Sequence, residues 1–218
     1  MDELLPLLFD GTVVTIEITI LAALLATTLA LLAALAKLSP WRPLRWLANI
    51  YIEIFRGTSL LVQLFWLFFV LPLPPFNITM TPFTVAVLGL GLNIGAYGAE
   101  VIRGAIIAVP PGQIEAAIAL NIPPLHRFLD IVLPQALINA IPPFTNLLIE
   151  LLKGTSLVSL ITIADLSFRA NQLVETTFRS KEIFLLTLLI YFLLAQLISV
   201  SMRMLERRFS RGLARGSM

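Results

Sequence analysis

Five stretches of the chain are long and apolar enough to cross a membrane as helices. Residues 18–36, 131–149 and 183–202 carry no charged side chain, and neither do residues 57–99. A helix rises about 1.5 Å per residue, so about 20 residues span the roughly 30 Å hydrocarbon core of a bilayer. The run 57–99 is too long for one helix, and the prolines within 72–82 divide it into two. The sequence therefore predicts an all-α integral membrane protein with five transmembrane helices.

The flanking charges set the expected bounds of these spans. We expect one transmembrane domain over residues 1–218, with spans at about 12–37, 52–71, 83–108, 131–152 and 183–204. The second span must begin near residue 50, with Arg56 at its start, because its uncharged half is short. Residues 154–164 are uncharged but too short to cross, so they predict a re-entrant or interfacial segment covered by protein.

The scarcity of charge also limits the possible functions. Charged residues make up 13% of the 218 residues and hydrophobic residues 58%, whereas soluble domains carry about 25% charged residues. This composition excludes a soluble enzyme, a nucleic-acid-binding domain and a disordered scaffold. The chain has no cysteine and a single histidine, His126. We therefore expect no thiolate nucleophile, no Cys- or His-based metal site and no catalytic residue in this chain.

The positions of lysine and arginine predict the orientation of the chain. Basic residues lie in the first loop and the C-terminal tail: Lys37, Arg42, Arg45, Arg56, Arg203, Arg207, Arg208, Arg211 and Arg215. The N-terminal segment offers Asp2, Glu3 and Asp10 but no basic side chain. Because cytoplasmic segments are enriched in Lys and Arg, we expect the N-terminus outside, the C-terminus in the cytoplasm, and residues 104–130 on the cytoplasmic side.

Polar side chains recur on one face of the third and fourth spans. The third span carries Asn93, Tyr97 and Glu100, with Arg103 one turn further, and the fourth carries Gln135, Asn139, Asn146, Glu150 and Lys153. Ionisable groups at membrane depth are costly and usually face a cavity or the protein interior. We interpret the stripe on the fourth span as the wall of a polar pathway. The alternative is a structural role, in which these side chains hold neighbouring helices together. For Glu100 and Arg103 the spacing favours a structural ion pair.

The third span is also rich in glycine. Gly91 and Gly95 form a small-xxx-small pair, which predicts close approach to a neighbouring helix backbone. Glu17 and Gln63 are isolated polar residues in apolar surroundings, and we expect structural roles for both.

Two Pro-Pro pairs enclose a short segment between the third and fourth spans. Residues 112–121 are strong helix formers, and Asn121 suits the left-handed position that ends a helix. The segment is either an interfacial helix lying on the bilayer or a contact surface for a cytoplasmic partner.

The same segment carries a family motif. Glu115-Ala116-Ala117, followed by Asn121 and by Ile131-Val132-Leu133-Pro134, resembles the EAA loop of ABC importer permeases, with Asn121 replacing the family glycine. Residues 53–63, 93–104, 133–136 and 152–157 resemble motifs of the polar amino acid branch, the histidine, glutamine and arginine permeases. Ser59 and Gly154 depart from the residues usual there. The resemblance covers about residues 10–205.

The resemblance implies a type I importer permease of the bacterial cytoplasmic (inner) membrane. Its partners would be a second permease (identical or paralogous), an ABC ATPase and an extracytoplasmic substrate-binding protein. ATP and Mg²⁺ would be bound by the ATPase, because this chain has no G-x-x-x-x-G-K-[ST] loop. This chain itself would be non-catalytic and hold no cofactor. The residues coupled to the ATPase would be Glu115, Ala116, Ala117, Leu120 and Asn121.

By position, the resemblance also implies a substrate site between the third and fourth spans, formed by Asn93, Tyr97, Asn146 and Glu150. Glu150 would face an ammonium or guanidinium group, so the expected cargo is a polar amino acid or a similar zwitterion, cationic ones included. The alternative is an ion-coupled secondary transporter or a channel for a polar solute, which would leave the EAA segment without a partner. The third functional class that we consider is a membrane scaffold protein.

Overall fold

The computed structural model describes residues 4–214, and all regular secondary structure in that range is helical. Asp2, Glu3 and Arg215, which entered the prediction of orientation, lie outside the described residues. The helices are α1 (Leu4–Leu38), α2 (Arg42–Gly57), α3 (Leu60–Phe65, continued by a π-helical turn Trp66–Val70), α4 (Pro82–Ile107), α5 (Pro111–Ala119), α6 (Pro124–His126, continued by a π-helical turn Arg127–Val132), α7 (Leu133–Gly154, continued by a 3₁₀ turn Thr155–Ile161), α8 (Leu166–Thr177) and α9 (Ser180–Ala214).

Four helical stretches within residues 4–214 are long and apolar enough to cross a membrane: α1, α4, α9 and the continuous stretch from α6 through α7. They correspond to the predicted first, third, fifth and fourth spans. The expected second span, 52–71, is not one helix. The chain bends by 104° between α2 and α3, and only the bent pair together is long enough to be a fifth span.

The bend at the predicted second span has a local cause. Thr58 and Ser59 have extended backbones, with ψ of 154° and 134°, so the helical hydrogen-bond ladder is interrupted there. The Thr58 hydroxyl donates to the carbonyl of Ile54 at 2.7 Å, and Ser59 occupies the N-cap position of α3. Glycine, threonine and serine favour helix ends over helix interiors, which makes residues 57–59 the natural place for the break.

The segment 154–164 continues α7 instead of forming a separate piece. Its 3₁₀ turn ends at Ile161 and is followed by Thr162, which has a φ of 70°. Val158, Ile161 and Ile163 are buried in the main hydrophobic core with side chains of α1, α4 and α7. The segment is therefore packed inside the protein, and its end lies against other helices.

The centre of the fold is α4, which packs against α1, α2, α3 and α7. A Cβ atom at Gly91 would lie 2.6 Å from the Leu25 side chain, and one at Gly98 would lie 2.8 Å from the Cβ of Ala30. Real Cβ atoms do not approach other atoms so closely, so α1 and α4 touch where α4 lacks side chains. The close approach predicted from the glycines of this span is confirmed.

A buried carboxylate fastens α8 to the rest of the chain. Asp165 is fully buried and caps α8 by accepting hydrogen bonds from the backbone N–H groups of Ser167 and Phe168, at 3.1 and 3.0 Å. The Tyr191 hydroxyl of α9 donates to it at 3.5 Å. Burial raises the pKa of Asp165 to about 6, since the charged form loses its hydration.

Candidate functional site

A cavity of about 430 Å³ opens where the α2–α3 bend meets α4 and the end of α7. Its lining includes Asn93 and Tyr97 of α4, Glu150 and Lys153 of α7, and Thr58 at the bend. The structure thus brings three of the four predicted substrate-binding residues to one cavity. The fourth, Asn146, is exposed on α7 and is not part of this lining.

The cavity carries charged side chains of both signs. Glu150 and Lys153 are exposed, and neither lies within 4 Å of an oppositely charged group among residues 5–210, whose side chains the structure describes. A carboxylate and an ammonium group are therefore both available, at one cavity, to a ligand that carries charges of both signs.

Arg56 contacts Tyr97, which lines the cavity. The guanidinium carbon of Arg56 lies 5.2 Å from the centroid of the Tyr97 ring, within cation–π range. The Tyr97 hydroxyl donates to the Arg56 carbonyl at 3.3 Å. Arg56 is thus at the C-terminal end of α2 beside the cavity, whereas the sequence placed it at the start of a span.

A cluster of hydrogen-bonded polar groups, which we call the Gln63 cluster, stabilises the C-terminal end of α2 at the bend. The Asn93 side chain donates from Nδ2 to the Phe55 carbonyl at 3.0 Å and to Oε1 of Gln63 at 3.1 Å. Gln63 donates from Nε2 to the hydroxyl of Thr58 at 2.7 Å and to the Phe55 carbonyl at 3.0 Å. The Phe55 carbonyl has lost its helical partner at the bend, so these amides replace it. Both N–H donors of Asn93 are engaged, and only its carbonyl oxygen remains for a ligand.

We expect the substitution Gln63→Leu to destabilise the protein by about 2–3 kcal/mol, because it leaves buried amide and carbonyl groups without partners. Thermal unfolding in detergent should show a clear fall in Tm. Gln196→Leu is the matched control, since Gln196 is exposed on α9. Equal Tm values for the two variants would contradict the stabilising role assigned to the Gln63 cluster.

Glu100 of α4 is paired with two cations, Lys37 of α1 and Arg103 of its own helix. It accepts from Arg103 at 2.8 Å, in the ion pair indicated by the spacing, and also from Lys37 of α1. Lys37 is not evident as a partner from the sequence, because the two residues are 63 positions apart. Glu100 is thus satisfied inside the chain and is not part of the cavity lining.

The polar stripe predicted on α7 has separate uses along its length. Gln135 donates from Nε2 to Oε1 of Gln113 at 3.1 Å, which ties α7 to α5. Asn139 and Asn146 are exposed. Glu150 and Lys153 reach the cavity. The stripe is therefore not one continuous wall within this chain.

The EAA segment forms the exposed helix α5. It covers Pro111–Ala119, slightly shorter than the expected 112–121, and ends where Asn121 has a φ of 53°. The predicted left-handed position of Asn121 is confirmed, and the Ile122 N–H closes the turn on the Ala117 carbonyl at 3.0 Å.

The two alanines of the motif face opposite environments. Glu115 and Ala116 are exposed, and Leu120 is 74% exposed. Ala117 is only 2% exposed. The resemblance implies that both alanines belong to the contact with a partner, and of the two only Ala116 is exposed in this chain. The methyl group of Ala117 is buried within the chain, and α5 packs against the π-helical turn Arg127–Val132.

Similarity to a known family identifies the class of protein to which this chain belongs. Residues 4–211 match the family described as binding-protein-dependent transport system inner membrane component. The chain belongs to this family, and it is a multi-pass permease of the inner membrane.

The similar proteins within this family include amino acid permeases. The chain is 44% identical over 205 residues to a probable amino-acid ABC transporter permease of Sinorhizobium fredii (strain NBRC 101917 / NGR234), covering 92% of this chain and 86% of the relative. It is 39% identical over 211 residues to the L-cystine transport system permease of Bacillus subtilis (strain 168), covering 96% and 89%.

A solved structure supports the same fold. A crystal structure of an amino acid ABC transporter with histidines superposes with a TM-score of 0.87 at 36% identity, covering 95% of this chain and 96% of that one. The predicted fold, that of a type I ABC importer permease, is confirmed. Family and fold support the reading as an ABC transporter permease and not the secondary transporter or channel.

Proposed function

We propose that this chain is the permease subunit of an ATP-driven importer for polar amino acids, cationic ones included. The observation that carries the proposal is the cavity between α4 and α7, with Glu150 and Lys153 at its edge and without an ion pair within the described residues. An amino acid carries an ammonium and a carboxylate group, so one ligand satisfies both side chains. The names of the relatives, which include an L-cystine permease, support an amino acid as cargo.

In this proposal, Glu150 recognises the positive group of the substrate. Tyr97 and the Asn93 carbonyl would complete the polar lining, and Arg56 is held in place by its contact with Tyr97. Asn146 would serve further along the pathway, since it lies outside this cavity.

ATP hydrolysis would be the work of a separate ABC ATPase that also binds Mg²⁺. The support lies in α5, whose exposed face carries Glu115, Ala116 and Leu120. A helix held by its neighbours on one side and free on the other suits the transmission of a rigid-body movement. A binding protein would deliver the substrate from outside, as the name of the family suggests.

A second permease, identical or paralogous, would cover the polar face of α7. Asn139 and Asn146 are exposed on this helix. Amide groups facing lipid are costly, and helices in membranes satisfy them by pairing with another helix. The second permease and this chain would then enclose the pathway between them.

The proposed orientation has the N-terminus outside and the C-terminus in the cytoplasm. The distribution of Lys and Arg supports it. The contact of Lys37 with Glu100 also supports it, because it brings the end of α1 to the end of α4 from which α5 follows. The basic first loop and the coupling helix would then share the cytoplasmic side.

The experiment is reconstitution of the purified complex in proteoliposomes with a binding protein encoded beside it. We expect uptake of arginine or cystine that requires ATP inside the vesicles and that vanadate inhibits. Uptake that proceeds without ATP and follows an ion gradient would contradict the proposal.

We expect Glu150→Gln to lower the uptake of arginine by roughly 10-fold or more, because a hydrogen bond to a charged group contributes about 1.5–3 kcal/mol. Uptake of glutamine should fall less, since glutamine offers Glu150 one positive group, its ammonium, whereas arginine offers two. Glu17→Gln is the control, as Glu17 is also exposed and lies on α1. If Glu150→Gln leaves both the rate and the preference for arginine unchanged, the role of Glu150 is wrong.

A further inference from the structure

The first turns of α2 present basic side chains on the outside of the fold. Arg42 and Arg45 are exposed and lie one turn apart. With Pro43, Trp46 and Asn49 they line an open recess of about 530 Å³. Together with Trp41, we call Arg42, Arg45 and Trp46 the α2 basic patch.

The charges of the α2 basic patch have no ion-pair partner in the part of the chain that the structure describes. Within residues 4–214, no carboxylate oxygen lies within 4 Å of a guanidinium nitrogen of Arg42 or Arg45. Neighbouring basic residues differ in this respect: Lys37 is paired with Glu100, and Arg56 stacks on Tyr97. The patch therefore offers two positive charges to a partner outside the chain.

The apolar surroundings indicate which kind of partner this is. Trp41, Trp46 and Leu47 are 63%, 68% and 62% exposed. Tryptophan is enriched at the boundary between hydrocarbon and headgroups, and the patch directly follows α1, a candidate span that ends at Leu38. A helix with exposed tryptophans and arginines at such a boundary is typical of contact with a lipid surface.

The other side of α2 also has space for lipid. A groove of about 600 Å³ runs between α1 and α2, and its lining is apolar, with Leu32, Ala36, Leu44 and Leu47 among its residues. Leu44 and Leu47 flank Arg45 in the sequence. A phospholipid held at the patch therefore has apolar protein surface nearby for its acyl chains.

We propose that the α2 basic patch binds the phosphate of an anionic phospholipid, with Arg42 and Arg45 as the phosphate ligands. The planar guanidinium group donates two parallel hydrogen bonds to a phosphate, which a lysine does not. Trp41 and Trp46 anchor the first turns of α2 at the depth of the headgroups. The bound lipid fixes the start of the bent pair α2–α3, whose bend at Thr58 and Ser59 borders the cavity.

The test uses Trp41 and Trp46 as reporters. Trp66→Phe leaves Trp41 and Trp46 as its only tryptophans. The full-length variant is reconstituted in dioleoylphosphatidylcholine vesicles that contain a small fraction of brominated phosphatidylglycerol or, in parallel, brominated phosphatidylcholine. Bromine quenches a tryptophan on contact, so the ratio of quenching gives the relative affinity of the two lipids at the patch. This measurement requires no transport and is independent of the proposed cargo.

We expect phosphatidylglycerol to be preferred by roughly fivefold for each arginine, which corresponds to about 1 kcal/mol per basic residue near an anionic surface. R42Q/R45Q should abolish the preference. The control R179Q/K181Q removes two exposed charges at the junction of α8 and α9 and should leave it unchanged. R42K/R45K retains the charge without the planar fork, and it should keep only part of the preference.

Equal quenching by the two lipids would overturn the proposal, and so would a preference that survives in R42Q/R45Q. If R42Q/R45Q does not fold, R42K/R45K decides, because an unaltered preference in that variant contradicts the role of the forks. A loss of ATPase co-purification in R42Q/R45Q, with lipid preference intact, would assign the patch to a protein partner instead.

Discussion

The variant Gly95→Leu should fail to assemble its helices. A Cβ atom at this position would lie 2.8 Å from the hydroxyl of Tyr51, 3.0 Å from the Cβ of Leu29 and 3.2 Å from the backbone carbonyl of Ala26. The carbonyl belongs to the backbone of α1, so it moves only if the whole helix moves. Leucine adds three further carbon atoms to this contact. Overpacking of a tight core costs about 1–3 kcal/mol, and we expect a loss at or above the upper end.

The expected readout is the loss of the monodisperse peak in size-exclusion chromatography, or a large fall in Tm. Gly95→Ala should show an intermediate effect, because Tyr51 must shift and weaken its 2.8 Å hydrogen bond to the Leu92 carbonyl. Gly104→Leu is the control on the same helix, since Gly104 is exposed with no neighbouring atom within 4 Å. A Gly95→Leu protein as stable as Gly104→Leu would show that α1 and α4 do not pack in this way.

Much of the fold could be predicted because it depends on periodic or continuous features. A run without charge marks a helix that can lie in lipid, and the glycines of α4 mark the contact with α1. The bend between α2 and α3 could not be predicted in the same way. The uncharged run passes straight through residues 57–59, and the hydrogen bonds that stabilise the bend come partly from Asn93 on another helix.

The candidate site was predicted in part for similar reasons. Their spacing and a family resemblance point to Asn93, Tyr97 and Glu150, and these residues do line one cavity. Spacing alone does not say which side chains are already used inside the protein. Lys37 is paired with Glu100, which lies 63 positions further along the chain. The Gln63 cluster engages both side-chain N–H donors of Asn93. These are contacts between distant segments, and they depend on how whole helices pack.

Substitutions at Ala116 and Ala117, two neighbouring alanines of the EAA motif, should have opposite effects. We expect Ala116→Trp to leave the permease folded but to prevent its association with the ATPase. Ala116 is exposed on α5, so a large side chain there meets no atom of its own chain and instead blocks a partner's surface. Loss of a central contact in an interface costs about 2 kcal/mol or more, which is roughly a 30-fold loss of affinity. Vanadate-sensitive uptake should fall to background.

Ala117→Trp should behave in the opposite way. Ala117 is 2% exposed, so the indole cannot fit, and we expect the Tm of the isolated permease to fall. Co-purification with the ATPase and thermal unfolding of the permease alone distinguish the two outcomes, and Leu188→Trp on the exposed side of α9 controls for the added indole. If Ala116→Trp retains the ATPase at the level of Leu188→Trp, the exposed face of α5 is not the coupling surface. The proposed cargo would be untouched by that result, because the cavity and α5 are tested by separate substitutions.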